Sequence, residues 1–439
     1  MPRTILRGGT IVTPKALFQA DIEIDDGVIR TIGPELPGSS DEIDATGLHV
    51  FPALIDVHLH FNEPGRTEWE GAATGSRALA AGGGAVFFDM PLNSTPCTVN
   101  ACEFDRKRAA LEASSITDFG LWGGLVPGNL ADLPELAERG VIGFKAFLCD
   151  SGLPEFPRAD DLTLYEGMRE AARLCLPVAV HAENEELTRG RALRPLLAEL
   201  EAVQRALLFA GETGARLHLV HLSSGRAVAM AAEAHARGVD VSIETCPHYL
   251  FFTAEDVERL GAIAKCAPPF RAAADQNALW SELIAGNVDV VASDHSPAPP
   301  AMKSGDFLKA WGGIAGVQST LNVLLEAGHF RRGLSLERIA SLLSEMPARR
   351  FALAQRGRIA EGNSADLTLV DLNGTFTMEP KLLFQRHAIS PYLGEAFRGC
   401  IRRTIRRGET IFHDGVIVAR DTGKLLRPSL DHATARTHA

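Results

Sequence analysis

Alternating apolar and polar residues mark both ends of the chain. Thr10-Ile11-Val12, Asp21-Ile22-Glu23-Ile24 and Val28-Ile29-Arg30-Thr31-Ile32 follow the two-residue period of half-buried strands. Asp26-Gly27, between two of them, is the residue pair of a tight hairpin. The texture returns in Asp366-Leu367-Thr368-Leu369-Val370, Thr410-Ile411-Phe412 and Val416-Ile417-Val418, with a second Asp-Gly at 414–415. Arg7-Gly8-Gly9-Thr10-Ile11 echoes Arg407-Gly408-Glu409-Thr410-Ile411. Neither set can bury a core alone, so residues 1–50 and 355–430 are expected to combine into one small β-sandwich-type domain.

Between the ends the pattern changes. Apolar strand candidates lie near 52–58, 84–90, 118–125, 141–147, 177–181, 216–221, 239–245 and 288–293. Amphipathic or Ala-rich segments such as 69–81, 195–211 and 226–237 separate them. Eight β–α repeats predict an α/β fold, a closed (β/α)8 TIM-like barrel over residues 51–354. An open doubly wound sheet is the alternative, but no GxGxxG follows the first strand. Residues 431–439 read as a disordered tail.

Composition narrows the partners. The 439 residues are 46% hydrophobic and 23% charged, with a net charge of −11 and no basic block. Nucleic acid and anionic membrane surfaces are therefore not expected partners. Seven scattered cysteines without a CxxC pair argue for a reducing compartment. The N-terminus lacks a signal-like apolar core, and no run reaches the ~20 apolar residues of a membrane span. A cytoplasmic location is expected.

In a barrel of this kind the reactive groups gather at the C-terminal ends of the strands. His58 and His60 end the first strand candidate, two apart and so on one face. Lys145 lies in the fourth, His181 ends the fifth, His221 the sixth and Asp294 the eighth. Taken singly, each has an ordinary reading: a histidine bonded to a loop carbonyl, a lysine reaching a carboxylate, an aspartate capping a turn. His218 reads as a partly exposed histidine of that ordinary kind. Chance does not readily bring four histidines, a lysine and an aspartate to one rim. Imidazole with carboxylate suits zinc first, with iron, manganese, cobalt or nickel as alternatives. An ammonium cannot ligate a metal, but a desolvated neutral amine can add carbon dioxide and become a carbamate with two oxygens able to bridge two metals.

These six residues in this order resemble the amidohydrolase superfamily, and in particular its cyclic amidases. The segments His60-Phe61-Asn62-Glu63-Pro64-Gly65-Arg66-Thr67-Glu68-Trp69-Glu70-Gly71, Asp89-Met90-Pro91-Leu92-Asn93, Phe147-Leu148-Cys149-Asp150-Ser151-Gly152, Glu244-Thr245-Cys246-Pro247-His248-Tyr249 and Ala310-Trp311-Gly312-Gly313-Ile314 are similar to those of the allantoinase family. The resemblance implies two divalent metals. One would be held by His58, His60 and Asp294, the other by His181 and His221, with a carbon dioxide-derived carbamate on Lys145 bridging both. It further implies purine catabolism, with opening of the hydantoin ring of a cyclic ureide by a hydroxide between the metals and Asp294 as the catalytic base and then acid. Asn62, Asn93, Cys266, Ala267 and Ser296 would contact the substrate, Cys266 and Ala267 through their backbone, and the Cys266 thiol reads as packed rather than nucleophilic. Dihydroorotases typically carry an arginine where this chain has Asn62. Dihydroorotase and hydantoinase or dihydropyrimidinase activities are the rivals inside the class, and a non-catalytic dihydropyrimidinase-like scaffold is the rival outside it. Family habit suggests a homodimer or homotetramer. One departure is the segment from His181 to Arg194-Pro195, a dozen residues and shorter than the family pattern.

Overall fold

The computed structural model describes residues 3–190 and 194–429. The expected tail, 431–439, lies outside the described residues. At the centre run eight parallel strands: Leu54–Leu59, Gly84–Asp89, Asp118–Leu121 continued by Gly123–Gly124, Phe144–Phe147, Val178–His181, Leu217–Leu219, Val241–Thr245 and Val290–Val291. Each pairs in parallel with the next. The third is interrupted at Trp122, whose buried indole N–H donates to the Val57 carbonyl on the first strand at 3.0 Å. Beyond the eighth strand, His295 bridges Leu59 in parallel and accepts the His60 N–H at 2.8 Å, which returns the ring to its start. Buried on both faces, these strands are apolar almost throughout, which is why they read as continuous runs.

Helices cover the outside, among them Ala72–Ala81, Ala101–Ser114, Asp161–Arg173, Leu196–Thr213 and Gly225–Ala236. Asn100, Asp160 and Ser224 cap their helices by accepting the N–H three residues on. The first helix begins three residues later than its pattern suggests. Gly71 precedes it at φ 82°, and Glu63 accepts the Ala72 N–H at 2.7 Å, so 69–71 belong to the loop. That loop stays at the rim of the barrel.

Among the described residues the terminal segments form one continuous mixed sheet of nine strands. Thr4–Val12 pairs antiparallel with Leu17–Asp25 and parallel with both Asp41–Asp44 and His49–Pro52. Leu367–Thr377 pairs with His49–Pro52 on one edge and Ala396–Arg406 on the other, joining the two ends of the chain. Both Asp-Gly pairs take positive φ at each residue, 49° and 75° at Asp26-Gly27 and 44° and 82° at Asp414-Gly415, the hairpin turn their sequence demands. His49–Pro52 then leads through Ala53 into the first barrel strand, so the sheet anchors the strand that carries His58 and His60.

Candidate metal centre

His58, His60, Lys145, His181 and His221 are 5% exposed or less and converge at the C-terminal ends of the first, fourth, fifth and sixth strands. The rings of His58 and His60 lie 5.8 Å apart, those of His58 and His221 5.4 Å, and those of His181 and His221 4.6 Å. Asp294 reaches in beyond the eighth strand. Its Oδ1 is 3.3 Å from His58 Nε2 and 3.5 Å from His60 Nε2, and one ligand atom from each of the three fits within 4.8 Å of the others.

Three of the four rings, those of His58, His60 and His181, have one nitrogen tied to the protein. His58 Nδ1 lies 2.8 Å from Glu244 Oε1, His60 Nδ1 3.4 Å from the Leu92 carbonyl and His181 Nε2 2.9 Å from Glu183 Oε2. A ring nitrogen that donates to a carboxylate or carbonyl leaves the other with its lone pair, the arrangement found around bound metals. Burial lowers the pKa values of His60 and His181 despite Asp294 and Glu183 beside them, and burial with the neighbouring His181, Lys145 and His58 lowers that of His221, which keeps those rings neutral and able to ligate.

Lys145 is wholly buried and its Nζ has no hydrogen-bond partner among the described residues. It lies 4.9 Å from the ring of Phe147, which stacks on His181 at 4.4 Å. Burial pulls its pKa down to about 8 against the opposing pull of Asp294 and Glu244. An orphaned buried amine costs free energy unless something completes it. Asp294 behaves in the opposite way: burial would raise its pKa, but His58 and His60 hold it well below the carboxylate range. A neutral-prone lysine, neutral imidazoles and an ionised aspartate in one space form a donor set that fits divalent metal together with a carbamate.

Sequence reasoning missed the groups behind this set. Glu244, at the end of the seventh strand, contacts His58 and His218 Nε2 and accepts the His221 N–H at 3.0 Å. His218 is therefore not the partly exposed histidine expected. It is 0% exposed, held between Glu244 and Ser242, because it points inward from the sixth strand. The period-two pattern did carry a signal, since His218 and Glu244 interrupt otherwise apolar runs. Burial pushes the Cys266 thiol up to about 12, so it is inert at neutral pH.

Asn62 and Asn93 approach the same mouth. Asn62 Nδ2 lies 3.4 Å from the Pro297 carbonyl and its Oδ1 is buried without a partner, while Asn93 Nδ2 lies 3.3 Å from Ser296 Oγ. Asn62, Asn93, His221 and Asp294 all hold positive φ, between 42° and 71°. Non-glycine residues rarely occupy that region, and strain of this kind collects where side chains must be aimed. Cys266 and the half-buried Ala267 lie in the loop beyond the seventh strand, where Lys265 accepts the Gly313 N–H at 2.9 Å.

The chain matches the model of the Amidohydrolase family over residues 49–411. It is 63% identical to an allantoinase of Solibacter usitatus over 456 aligned positions covering 100% of both chains, which is 17 positions more than this chain has residues. It is 54% identical to an allantoinase of Rubrobacter xylanophilus, with 97% of each chain covered. Among solved structures it is similar to the L-hydantoinase (dihydropyrimidinase) of Arthrobacter aurescens, with a TM-score of 0.94 and 31% identity over 97% of this chain and 100% of that one. The dihydropyrimidinase of Brevibacillus agri gives 0.90 at 27% identity, covering 97% and 99%. Full-length agreement in sequence and fold, on a rim of this composition, makes the chain a member of the amidohydrolase family.

Proposed function

We propose that the chain is a metal-dependent cyclic amidohydrolase that opens the hydantoin ring of allantoin to give allantoate. The observation that carries the reading is the wholly buried, unpartnered Lys145 amine among His58, His60, His181, His221 and Asp294. His58, His60 and Asp294 would hold one divalent ion and His181 and His221 another, with the Lys145 carbamate shared between them. Zinc leads the candidates on donor type. When bound, such ions lower the pKa of water and polarise the carbonyl under attack.

The rest falls to the chain itself. Asp294 faces the histidines through Oδ1, which leaves Oδ2 to take the proton of the attacking water and pass it to the departing ring nitrogen. Held well below the ordinary carboxylate range, it is ionised when the water arrives. Asn62 offers a buried carbonyl oxygen and an amide without a fixed charge, suited to an uncharged ureide. Asn93, Ser296 and the backbone at Cys266 and Ala267 frame the ring.

A hydantoinase reading is favoured by the backbone similarity to L-hydantoinase, yet fold alone does not set substrate, and identity to the allantoinases is about twice as high. Free thiols at all seven cysteines support a reducing, cytoplasmic setting, and the enzyme would act as a homo-oligomer. Chelator-stripped protein should be inactive and regain allantoin hydrolysis on addition of divalent metal and bicarbonate. Protein that binds no metal and gains no activity would instead be the scaffold.

A further inference from the structure

Two residues after His181, the carboxylate of Glu183 is wholly buried, and the mechanism above gives it no part. Its Oε2 takes His181 Nε2 at 2.9 Å and the guanidinium of Arg194, while Oε1 has no hydrogen-bond partner among the described residues. Cys149 Sγ stands 3.6 Å from Arg194 Nη1. Cys149, His181 and Glu183 are close enough to grip a cation, and the Arg194 guanidinium is the cation they have. Burial would lower the Arg194 pKa, but Glu183 raises it.

Arg194 is fixed in turn. Its carbonyl accepts from Arg271 Nη1 at 2.8 Å, and Arg271 Nε donates to Ser223 Oγ at 2.9 Å. Ser223, two residues after His221, donates through its backbone N–H to Glu199 at 2.7 Å and through its hydroxyl at 3.0 Å. A partly buried chain of charge-assisted hydrogen bonds thus runs from the loop beyond His181 to the loop beyond His221, crossing the start of the helix Leu196–Thr213.

We infer that Glu183 and Arg194 are positioning residues that fix the His181 ring with Nδ1 turned toward Lys145 and His221, and that Arg271 locks this pair to the loop of His221. The inference rests on the metal reading above. Beside a neutral histidine the buried carboxylate would be an uncompensated charge, and a guanidinium supplies the counter-charge without a proton that can be lost. The short segment after His181 brings Arg194 to that carboxylate only 11 residues along the chain.

The test compares wild-type protein with Arg194→Met, Arg194→Lys and Glu183→Gln by chelator competition for zinc, by the absorption spectrum of cobalt-loaded protein and by kcat/KM. Wild type should hold about two ions. Arg194→Met and Glu183→Gln should weaken one of them about 10- to 100-fold, shift the cobalt spectrum and leave the other ion in place, with Arg194→Lys recovering part of the loss. Arg194→Met that keeps both affinities and the wild-type spectrum overturns the inference. Wild-type protein that takes up no metal overturns the reading beneath it, and the inference with it. Should Glu183→Gln fail to fold, the partly exposed Arg194 still decides the question.

Discussion

At the scale of single residues, the chemistry depends on which buried group is left incomplete. Lys145 has no hydrogen-bond partner among the described residues and a pKa drawn down to about 8, so its neutral, carbon dioxide-reactive fraction grows as pH rises through that value. At a fixed partial pressure of carbon dioxide, reactivation of metal-free protein by zinc should therefore accelerate from pH 7 to 9 and then level off. A rate flat across that range would remove Lys145 from the account. Glu244 is the opposite case, a carboxylate that burial would raise but that His58 and His218 hold down at about 2. A depressed carboxylate lends stability that is fully present above its unfolded value near 4.5 and is lost as pH falls toward about 2. Glu244→Gln should flatten the loss of stability over that window, seen by unfolding at several pH values, and weaken metal binding about 10- to 100-fold. The six metal-type residues were legible because their kinds are unusual at strand ends. Glu244 was not, because its partner His58 lies 186 residues away.

At the scale of elements, strand positions were legible from runs of buried apolar residues, and both hairpins from their Asp-Gly pairs. The loops were not, since backbone carbonyls leave no mark in the sequence. Lys303 illustrates this. It is nearly buried, and Nζ donates to the carbonyls of Lys265 at 3.2 Å, Trp311 at 3.0 Å and Gly313 at 2.7 Å. All three ammonium protons are engaged in clipping the loop beyond the seventh strand to segment 311–313. Lys303→Met should raise KM for the ring substrate several-fold and change kcat less, with metal content unchanged by elemental analysis. Loss of metal with unchanged KM would show that the clip serves the ligands and not the substrate loops. The late start of the helix Ala72–Ala81 has a similar origin, since the Gly71 N–H is taken by the Phe61 carbonyl at 2.8 Å rather than by a helical partner.

At the scale of the whole molecule, pairing of the two ends was legible from their shared texture. What could not be read was that residues 49–52 sit between the N-terminal strands and Leu367–Thr377, because register between distant segments is set by packing. The barrel floor is joined to the sheet by Asp118, which is wholly buried and binds Arg356 at 2.6 Å, Arg407, and the Lys424 N–H at 2.9 Å. Removing one partner of a buried ion network leaves the others uncompensated, so Asp118→Asn should cost about 3–5 kcal/mol in urea unfolding. A change within experimental error would mean that the sheet and the barrel are held together elsewhere.

We propose that this rim is a metal centre that opens the ring of allantoin. It is tested most directly by kcat/KM for allantoin, hydantoin, dihydrouracil and dihydroorotate on one preparation of metal-reconstituted protein, because that ratio measures discrimination at the transition state. Allantoin should lead the other rings by at least about tenfold, a difference of roughly 1.4 kcal/mol. A preference for hydantoin, dihydrouracil or dihydroorotate, or no turnover of any ring by protein that holds its metal, would contradict it.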